Sequence, residues 1–243
     1  VDWIDKNQPV ASVFLSNEDW TSEDVTVTIT PQEGAVIQNV RFNNEEIAET
    51  AENQYIVTAY GTLTYEVVDL TTNIVGTGQV LIRIDRTAPV VTNVTYSTRY
   101  WTNGDVTVNI TAMDDLSTVV YKNGSSYTFT ENGSYVFIVE DSAGNKTTEI
   151  VTVDWIDKKA PEAEIKYYVD GKEYNPLLPT NKNVTAKVFF EEEGSPVTVT
   201  NNSGSTEFEF ASNGSFSFMF RDEAGNEGSI TATVTKIDKV PPT

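Results

Sequence analysis

The residues of this chain whose type and spacing suit chemistry are aspartates. An Ile-Asp pair closely followed by a proline occurs four times, and its aspartates are Asp5, Asp85, Asp157 and Asp238. Carboxylate oxygens are the ligands that calcium prefers. We expect no cofactor, with calcium as the one exception for which the sequence offers candidate ligands, Asp85 and Asp157. The alternative is that each carboxylate accepts hydrogen bonds from backbone amides of its own turn.

The composition argues against catalysis. The chain has no histidine and no cysteine, which excludes the commonest general base, thiol nucleophiles and the usual zinc sites. Adjacent acids such as Asp114 and Asp115 would point to opposite faces of a strand, whereas a glycosidase needs two carboxylates that face each other. We therefore expect no enzymatic activity.

The charge and the hydropathy pattern limit the partners. Thirty-six acidic and sixteen basic residues give a net charge of −20, and such a surface repels the phosphates of nucleic acids. A transmembrane helix needs roughly 18 or more consecutive apolar residues, and the chain has no such run. We expect neither nucleic-acid binding nor membrane insertion.

A group of tyrosines is the candidate binding surface. Tyr167, Tyr168 and Tyr174 lie in a segment, residues 167–178, where a hairpin is predicted to turn at Asp170-Gly171. Aromatic faces on a protruding hairpin could stack on sugar rings or fill a pocket of a partner. The alternative is that these tyrosines cover the edge of a β-sandwich.

These residues belong to units that repeat along the chain. Aspartate and asparagine follow a glycine after eight and twelve residues at Gly61, Gly133 and Gly214. The prolines after the four Ile-Asp pairs are 80, 72 and 80 residues apart. This repeat predicts three domains, at 1–87, 88–158 and 159–243, with the hairpin inserted in the third. Residues 1–5 match the end of a preceding repeat, so we expect the chain to be a piece of a longer array.

Within each repeat, the pattern is that of short strands and turns. Val25, Val27 and Ile29 alternate with threonines, as expected of a half-buried strand, and about seven such strands are predicted in each repeat. The loop of the second repeat starts at Asp141, with Gly144 supplying a positive φ before Asn145, and Asp222, Gly225 and Asn226 repeat this turn. The fold class predicted is all-β, with almost no helix.

Three motifs carry a family resemblance. The Asp-x-Ala-Gly-Asn loop, the WTNGDVTV strand at 101–108 and the Ile-Asp-x-x-Ala-Pro junction resemble bacterial immunoglobulin-like domains, which occur in tandem along large secreted and surface proteins. The resemblance covers the whole chain and is weaker in the first repeat, whose loop, Asp69-Leu-Thr-Thr-Asn73, lacks the glycine. It implies three immunoglobulin-like β-sandwiches arranged as an elongated rod.

The resemblance also implies a function and a location. We expect a monomeric, non-catalytic spacer of a bacterial cell-surface or secreted protein, whose partners are the neighbouring domains of the same chain. The alternative is an adhesion or carbohydrate-binding module that holds a cell-wall or host glycan, or a host protein, through the tyrosine hairpin.

Overall fold

The computed structural model describes residues 7–191 and 193–241, and the predicted remnant at 1–5 lies outside them. The all-β prediction is confirmed. Within the described residues, the regular structure consists of strands and a single 3-10 turn at Asn202–Gly204. The chain divides into two compact units. The first unit consists of residues 7–94, 110–125 and 136–150. The second unit consists of residues 95–109, 126–135, 151–191 and 193–241. Because this division cuts through 88–158, the three predicted domain boundaries stay predictions.

In the first unit, two antiparallel sheets share one apolar core. Sheet β1-β2-β5 contributes Val27 and Val57, and sheet β4-β3-β6-β7 contributes Leu63 and Ile82. All four side chains are buried, since alternate residues of each strand point to the same face. The strands are β1 (Ala11–Leu15), β2 (Val25–Pro31), β3 (Ala35–Phe42), β4 (Glu45–Glu46), β5 (Gln54–Val57), β6 (Gly61–Asp69) and β7 (Val75–Ile82).

In the second unit, the residues after 161 form a second pair of sheets around their own core. Sheet β15-β14-β16-β18 and sheet β17-β19-β20 meet through residues such as Val184, Phe210 and Phe218. The strands are β14 (Glu162–Val169), β15 (Lys172–Glu173), β16 (Val184–Glu191), β17 (Val197–Val199), β18 (Glu207–Phe210), β19 (Gly214–Asp222) and β20 (Glu227–Val234). The β14–β15 turn lies at Asp170 (φ 51°) and Gly171 (φ 76°), as the sequence predicts for the hairpin.

Residues 90–153 form two more three-stranded sheets, with strand orders β11-β9-β8 and β10-β12-β13. Val106 and Val108 of β9 are fully buried, in keeping with the alternation read from the sequence. The strands are β8 (Val90–Tyr96), β9 (Val106–Met113), β10 (Val119–Tyr121), β11 (Ser126–Phe129), β12 (Gly133–Asp141) and β13 (Lys146–Val153).

Replacing Phe218 tests the core of the second unit. Phe218 is 0% exposed and its neighbour Met219 is 55% exposed on the other face of β19. We expect Phe218→Ala to lower the free energy of unfolding by about 3–5 kcal/mol, because it removes buried apolar surface and leaves a cavity. Met219→Ala should change it by less than about 0.5 kcal/mol. Urea unfolding followed by circular dichroism measures both, and equal effects would contradict this assignment of faces.

Candidate functional site

The loop between β12 and β13 is closed by one aspartate and one asparagine. Asp141 Oδ1 accepts a hydrogen bond from Asn145 N at 2.9 Å, and Oδ2 accepts one from Asn145 Nδ2 at 2.8 Å. Gly144 has φ +92°. The loop between β19 and β20 has the same arrangement, since Asp222 accepts Asn226 N at 2.7 Å and Asn226 Nδ2 at 2.8 Å. Its glycine, Gly225, has φ +98°.

The first-repeat loop between β6 and β7 is built differently. Asp69 Oδ1 accepts the amides of Thr71 and Thr72, at 2.8 and 2.7 Å, and the Thr72 hydroxyl at 3.0 Å. The Thr72 amide is the main cause that lowers the pKa of Asp69, followed by the Thr71 amide. Instead of a glycine, Asn73 has the positive φ, at 55°. Asparagine tolerates this conformation better than most residues, which explains how the loop closes without glycine.

The two asparagines also bind the Ile-Asp junction that precedes their own repeat. Asn145 Nδ2 donates to the carbonyl oxygen of Asp85 at 2.9 Å. Asn226 Nδ2 donates to the carbonyl oxygen of Asp157 at the same distance, 2.9 Å. One side-chain amide therefore joins the carboxylate of its loop to the main chain of the junction.

A second pair of asparagines binds the junction that follows the repeat. Asn132 Oδ1 accepts Ile156 N at 2.8 Å, and Asn132 Nδ2 donates to Ile156 O at 2.9 Å. Asn213 makes the same two contacts with Ile237, at 2.7 and 3.1 Å. Neither asparagine was identified as a junction residue from the sequence. The available signal was their spacing, because each asparagine lies 24 residues before its isoleucine.

Main-chain hydrogen bonds attach the junctions to Thr102 and Thr21, which follow Trp101 and Trp20 in the sequence. Thr102 N donates to Trp155 O at 3.0 Å, and Asp157 N donates to Thr102 O at 2.9 Å. In the first unit, Thr21 makes the corresponding bonds with Arg83 O and Asp85 N, at 3.1 and 2.9 Å. Ile156 is thus bound to the repeat that precedes the junction, and Asp157 is bound to the preceding and to the following repeat. Two consecutive residues therefore connect the two repeats.

Both carboxylate oxygens of Asp157 accept hydrogen bonds from protein donors. Its Oδ2 accepts Ser195 N and Ser195 Oγ, at 2.8 and 2.9 Å, and its Oδ1 accepts Lys159 N at 3.1 Å. A Cβ at residue 194 would overlap Asp157 Oδ2, which explains why Gly194 lies there. Burial raises the pKa of Asp157, but the Ser195 and Lys159 amides outweigh burial and lower it. The stability that this carboxylate contributes is present above its unfolded pKa and is lost as the pH falls.

Of the two carboxylate oxygens of Asp85, Oδ1 accepts hydrogen bonds within the described residues. Its Oδ1 accepts the amide and hydroxyl of Thr87, at 3.0 and 2.7 Å. Burial raises the pKa of Asp85, but Thr87 and the nearby Ser117 hydroxyl outweigh burial and lower it. Within the described residues, however, neither Asp85 Oδ2 nor Ser117 Oγ has a hydrogen-bond partner of ordinary geometry, and both atoms are buried.

Two further carboxylates lie beside Asp85. Three carboxylate oxygens, one each from Asp85, Asp114 and Asp141, lie within 4.8 Å of one another. Among residues 7–191 and 193–241, this is the one group of three acidic side chains close enough to share a metal ion. We call these three residues the Asp85 cluster. Asp114 is oriented by the amides of Leu116 and Ser117, which donate to its Oδ1 at 3.0 and 2.8 Å. The sequence predicted Asp85 as a ligand and Asp141 as a turn residue, whereas Asp114 was considered only as one of two adjacent acids that do not face each other.

The predicted tyrosine hairpin is tied to its own sandwich. Tyr167 and Tyr174 pack against the core of the second unit, and the Tyr167 hydroxyl accepts Thr233 N at 3.0 Å. The Tyr174 hydroxyl donates to Leu178 O. Tyr168 is half-buried, with Lys187 Nζ 5.2 Å from its ring centroid. These contacts favour the edge-covering interpretation, although ligand binding by the hairpin stays an untested prediction.

An aromatic surface elsewhere in the second unit was not predicted as a binding site. A shallow groove is lined by Arg99, Tyr100, Trp101, Asp154, Trp155 and Glu223. Tyr100 is 83% exposed. Trp155 is held in place by Tyr96, whose ring centroid is 5.6 Å away, and by a 3.2 Å hydrogen bond from its indole nitrogen to Thr98 O. The groove thus combines a free aromatic face with charged groups.

Proteins similar to this chain were found among solved structures. No protein-family model matches the chain, and the comparison with curated proteins finds no match. Among solved structures, the chain is similar to a protocadherin GammaB4 extracellular domain, at 10% identity and a TM-score of 0.28 over 94% of this chain. It spans about half of that structure, 51%.

A second similar structure is SGBP-B of Bacteroides ovatus in complex with a mixed-linkage heptasaccharide. Its identity is 12% and its TM-score 0.22, with 95% of this chain and 71% of that chain covered. TM-scores of this size carry no argument about function, so membership of the bacterial immunoglobulin-like family stays a prediction from the motifs.

No helix in the described part of the chain is long and apolar enough to cross a membrane.

Replacing Asn226 tests whether its amide holds the junction. We expect Asn226→Ala to lower the free energy of unfolding by about 1–3 kcal/mol, because the Asp222 carboxylate, 4% exposed, loses a donor. Asn226→Asp should cost more at pH 7, since it places a second carboxylate beside Asp222. Like charges raise carboxyl pKa values in the folded state, so this penalty should shrink as the pH falls.

Denaturant unfolding at pH 7 and pH 4.5 measures these effects. Asn183→Ala is the matched control, because the half-buried Asn183 side chain accepts a hydrogen bond only from the exposed Lys239 Nζ among the contacts described. Its effect should stay below about 0.5 kcal/mol. A penalty for Asn226→Asp that grows towards acidic pH would contradict the proposed contact.

Proposed function

We propose that this chain is a non-catalytic, extracellular spacer of a bacterial multidomain protein, which presents another domain of the same protein away from the surface. The observation that carries the proposal is the double attachment of the Ile-Asp junction. Ile156 is bound by Asn132, and Asp157 is bound by Asn226 and Ser195. A spacer that must keep its length needs junctions that do not bend freely, and this arrangement supports such a role.

The energetics of the junction favour a fixed conformation. A typical hydrogen bond contributes about 0.5–1.5 kcal/mol net, and a buried acceptor left without its donor costs about 1–3 kcal/mol. Bending at Asp157 would break several such bonds at once, including those from Ser195 to a carboxylate that is 8% exposed. Pro161, which follows closely, further limits the backbone because its φ is fixed. Bent conformations should therefore be rare.

The remaining properties of the chain suit the same role. A net charge of −20 keeps neighbouring copies apart and supports a monomer. The sequence contains no histidine or cysteine for catalysis, and neighbouring domains of the same chain are its expected partners. The domain presented at the end of the spacer lies outside this sequence in the proposal.

A distance measurement across the junction tests the spacer. Two nitroxide labels can be attached at exposed positions through Asn109→Cys and Glu209→Cys, since the chain has no cysteine of its own. We expect a narrow distance distribution by pulsed electron paramagnetic resonance. Inserting Gly-Ser-Gly-Ser between Ile156 and Asp157 should broaden it, because flexible residues then separate the two sets of contacts. An equally broad distribution in the chain without the insertion would contradict the proposal.

Glycan binding is the second candidate function, and the aromatic groove favours it. Exposed aromatic rings stack on sugars and carboxylates bind hydroxyl groups, so Tyr100 with Asp154 and Glu223 forms a suitable surface. The spacer function predicts no retention on cell-wall material, insoluble polysaccharides or a glycan array. Retention that Tyr100→Ala abolishes and Tyr168→Ala preserves would replace the spacer by a binding module at the groove. Retention that Tyr168→Ala abolishes and Tyr100→Ala preserves would assign glycan binding to the hairpin.

A further inference from the structure

We propose that Asp85, Asp114 and Asp141 bind a hard divalent cation of the calcium class. This site does not depend on the spacer function, because the argument uses only the chemistry of the Asp85 cluster. Three carboxylates with oxygens within 4.8 Å of one another repel each other when all are ionised. A cation between them would turn that repulsion into attraction.

The unpaired oxygen of Asp85 is the independent observation that points to a ligand. Asp85 is 1% exposed, and its Oδ2 has no hydrogen-bond partner among the described residues. The hydroxyl of Ser117, a residue 8% exposed, is in the same situation. Buried polar atoms in proteins are nearly always paired, because an unpaired one forfeits its hydration without compensation. A bound cation supplies the missing partner for the carboxylate, and the hydroxyl can serve as a further oxygen ligand.

The corresponding position in the next repeat shows what a satisfied carboxylate looks like. Asp157 occupies the place of Asp85, and Ser195 the place of Ser117 relative to the following strand. Ser195 gives both its amide and its hydroxyl to Asp157 Oδ2. The Ser117 amide is instead taken by Asp114. Asp114 therefore adds a negative charge beside Asp85 and at the same time removes the donor that would have paired it.

The dimensions and the donor type favour calcium. Calcium binds six to eight oxygens at about 2.3–2.6 Å, so two ligands on opposite sides are about 4.6–5.2 Å apart. Magnesium requires near-ideal octahedral geometry at about 2.0–2.1 Å and keeps several of its waters, so it is rarely held by a set of protein carboxylates alone. Zinc prefers histidine and thiolate ligands, which this chain lacks. Water would complete the calcium shell.

A cation here would bind two elements that Asn145 already joins. Asp85 belongs to the junction, and Asp141 begins the loop between β12 and β13. Asn145 connects the two through Asp85 O and Asp141 Oδ2. Calcium would add a second, ionic link between the same residues, so cation binding should stabilise the fold.

Calcium titration of the whole chain tests the site. After treatment with a chelator, isothermal titration calorimetry should give one site, with a Kd of about 10⁻³ M or tighter, as for calcium sites of extracellular modules. Asp114→Asn should weaken binding at least about tenfold, because it removes one charged ligand. Asp115→Asn, the same charge change at an exposed neighbour outside the cluster, should leave the Kd unchanged. Magnesium should bind more weakly than calcium.

Thermal unfolding separates loss of the site from loss of the fold. Calcium at millimolar concentration should raise the Tm of the unchanged chain and of Asp115→Asn by several °C, and that of Asp114→Asn by less. Without calcium, Asp114→Asn should unfold no earlier than the unchanged chain, because Asn Oδ1 can still accept the Leu116 and Ser117 amides. No calcium-dependent heat or Tm shift, or equal weakening by Asp115→Asn, would overturn the proposal.

Discussion

The side-chain amide of one asparagine holds each described Asp-x-Ala-Gly-Asn loop against the junction before it. Asn226 Nδ2 donates both to the carboxylate of Asp222 and to the carbonyl of Asp157, and Asn145 does the same for Asp141 and Asp85. An amide has two N–H groups in a fixed plane, so it can satisfy two acceptors only where both lie in place. The same amide group that closes the loop therefore also fixes the path of the junction.

Buried carboxylates are tolerated at the ends of the sheets because donors surround them. Asp222, at 4% exposed, would be costly without Asn226, and Asp157 would be costly without Ser195. The apolar core places these donors, since β19 and β20 are held in register by residues such as Phe218 and Phe220. The polar contacts at the junction thus depend on the packing between the sheets.

The two junctions have diverged in their chemistry while keeping the same main-chain contacts. At Asp157 the carboxylate is satisfied by protein donors alone. At Asp85 the neighbouring Asp114 accepts the serine amide instead, and one Asp85 oxygen has no hydrogen-bond partner in the described part of the chain. A repeat can therefore keep its mechanical contacts and still acquire a different site, because the carboxylate and the carbonyl of one aspartate bind different partners.

The sequence by itself determined the strands, the Asp-x-Ala-Gly-Asn turns and the all-β class, because alternation and turn chemistry are local properties of consecutive residues. It named Asp85 and Asp141 but could not bring Asp114 to them. Only the tertiary structure paired Asn132 with Ile156, 24 residues away, and placed Tyr167 against the core. Such contacts depend on how the sheets pack. The separation of 24 residues recurs at Asn213 and Ile237, but a recurring separation does not by itself show which side chain contacts which main chain.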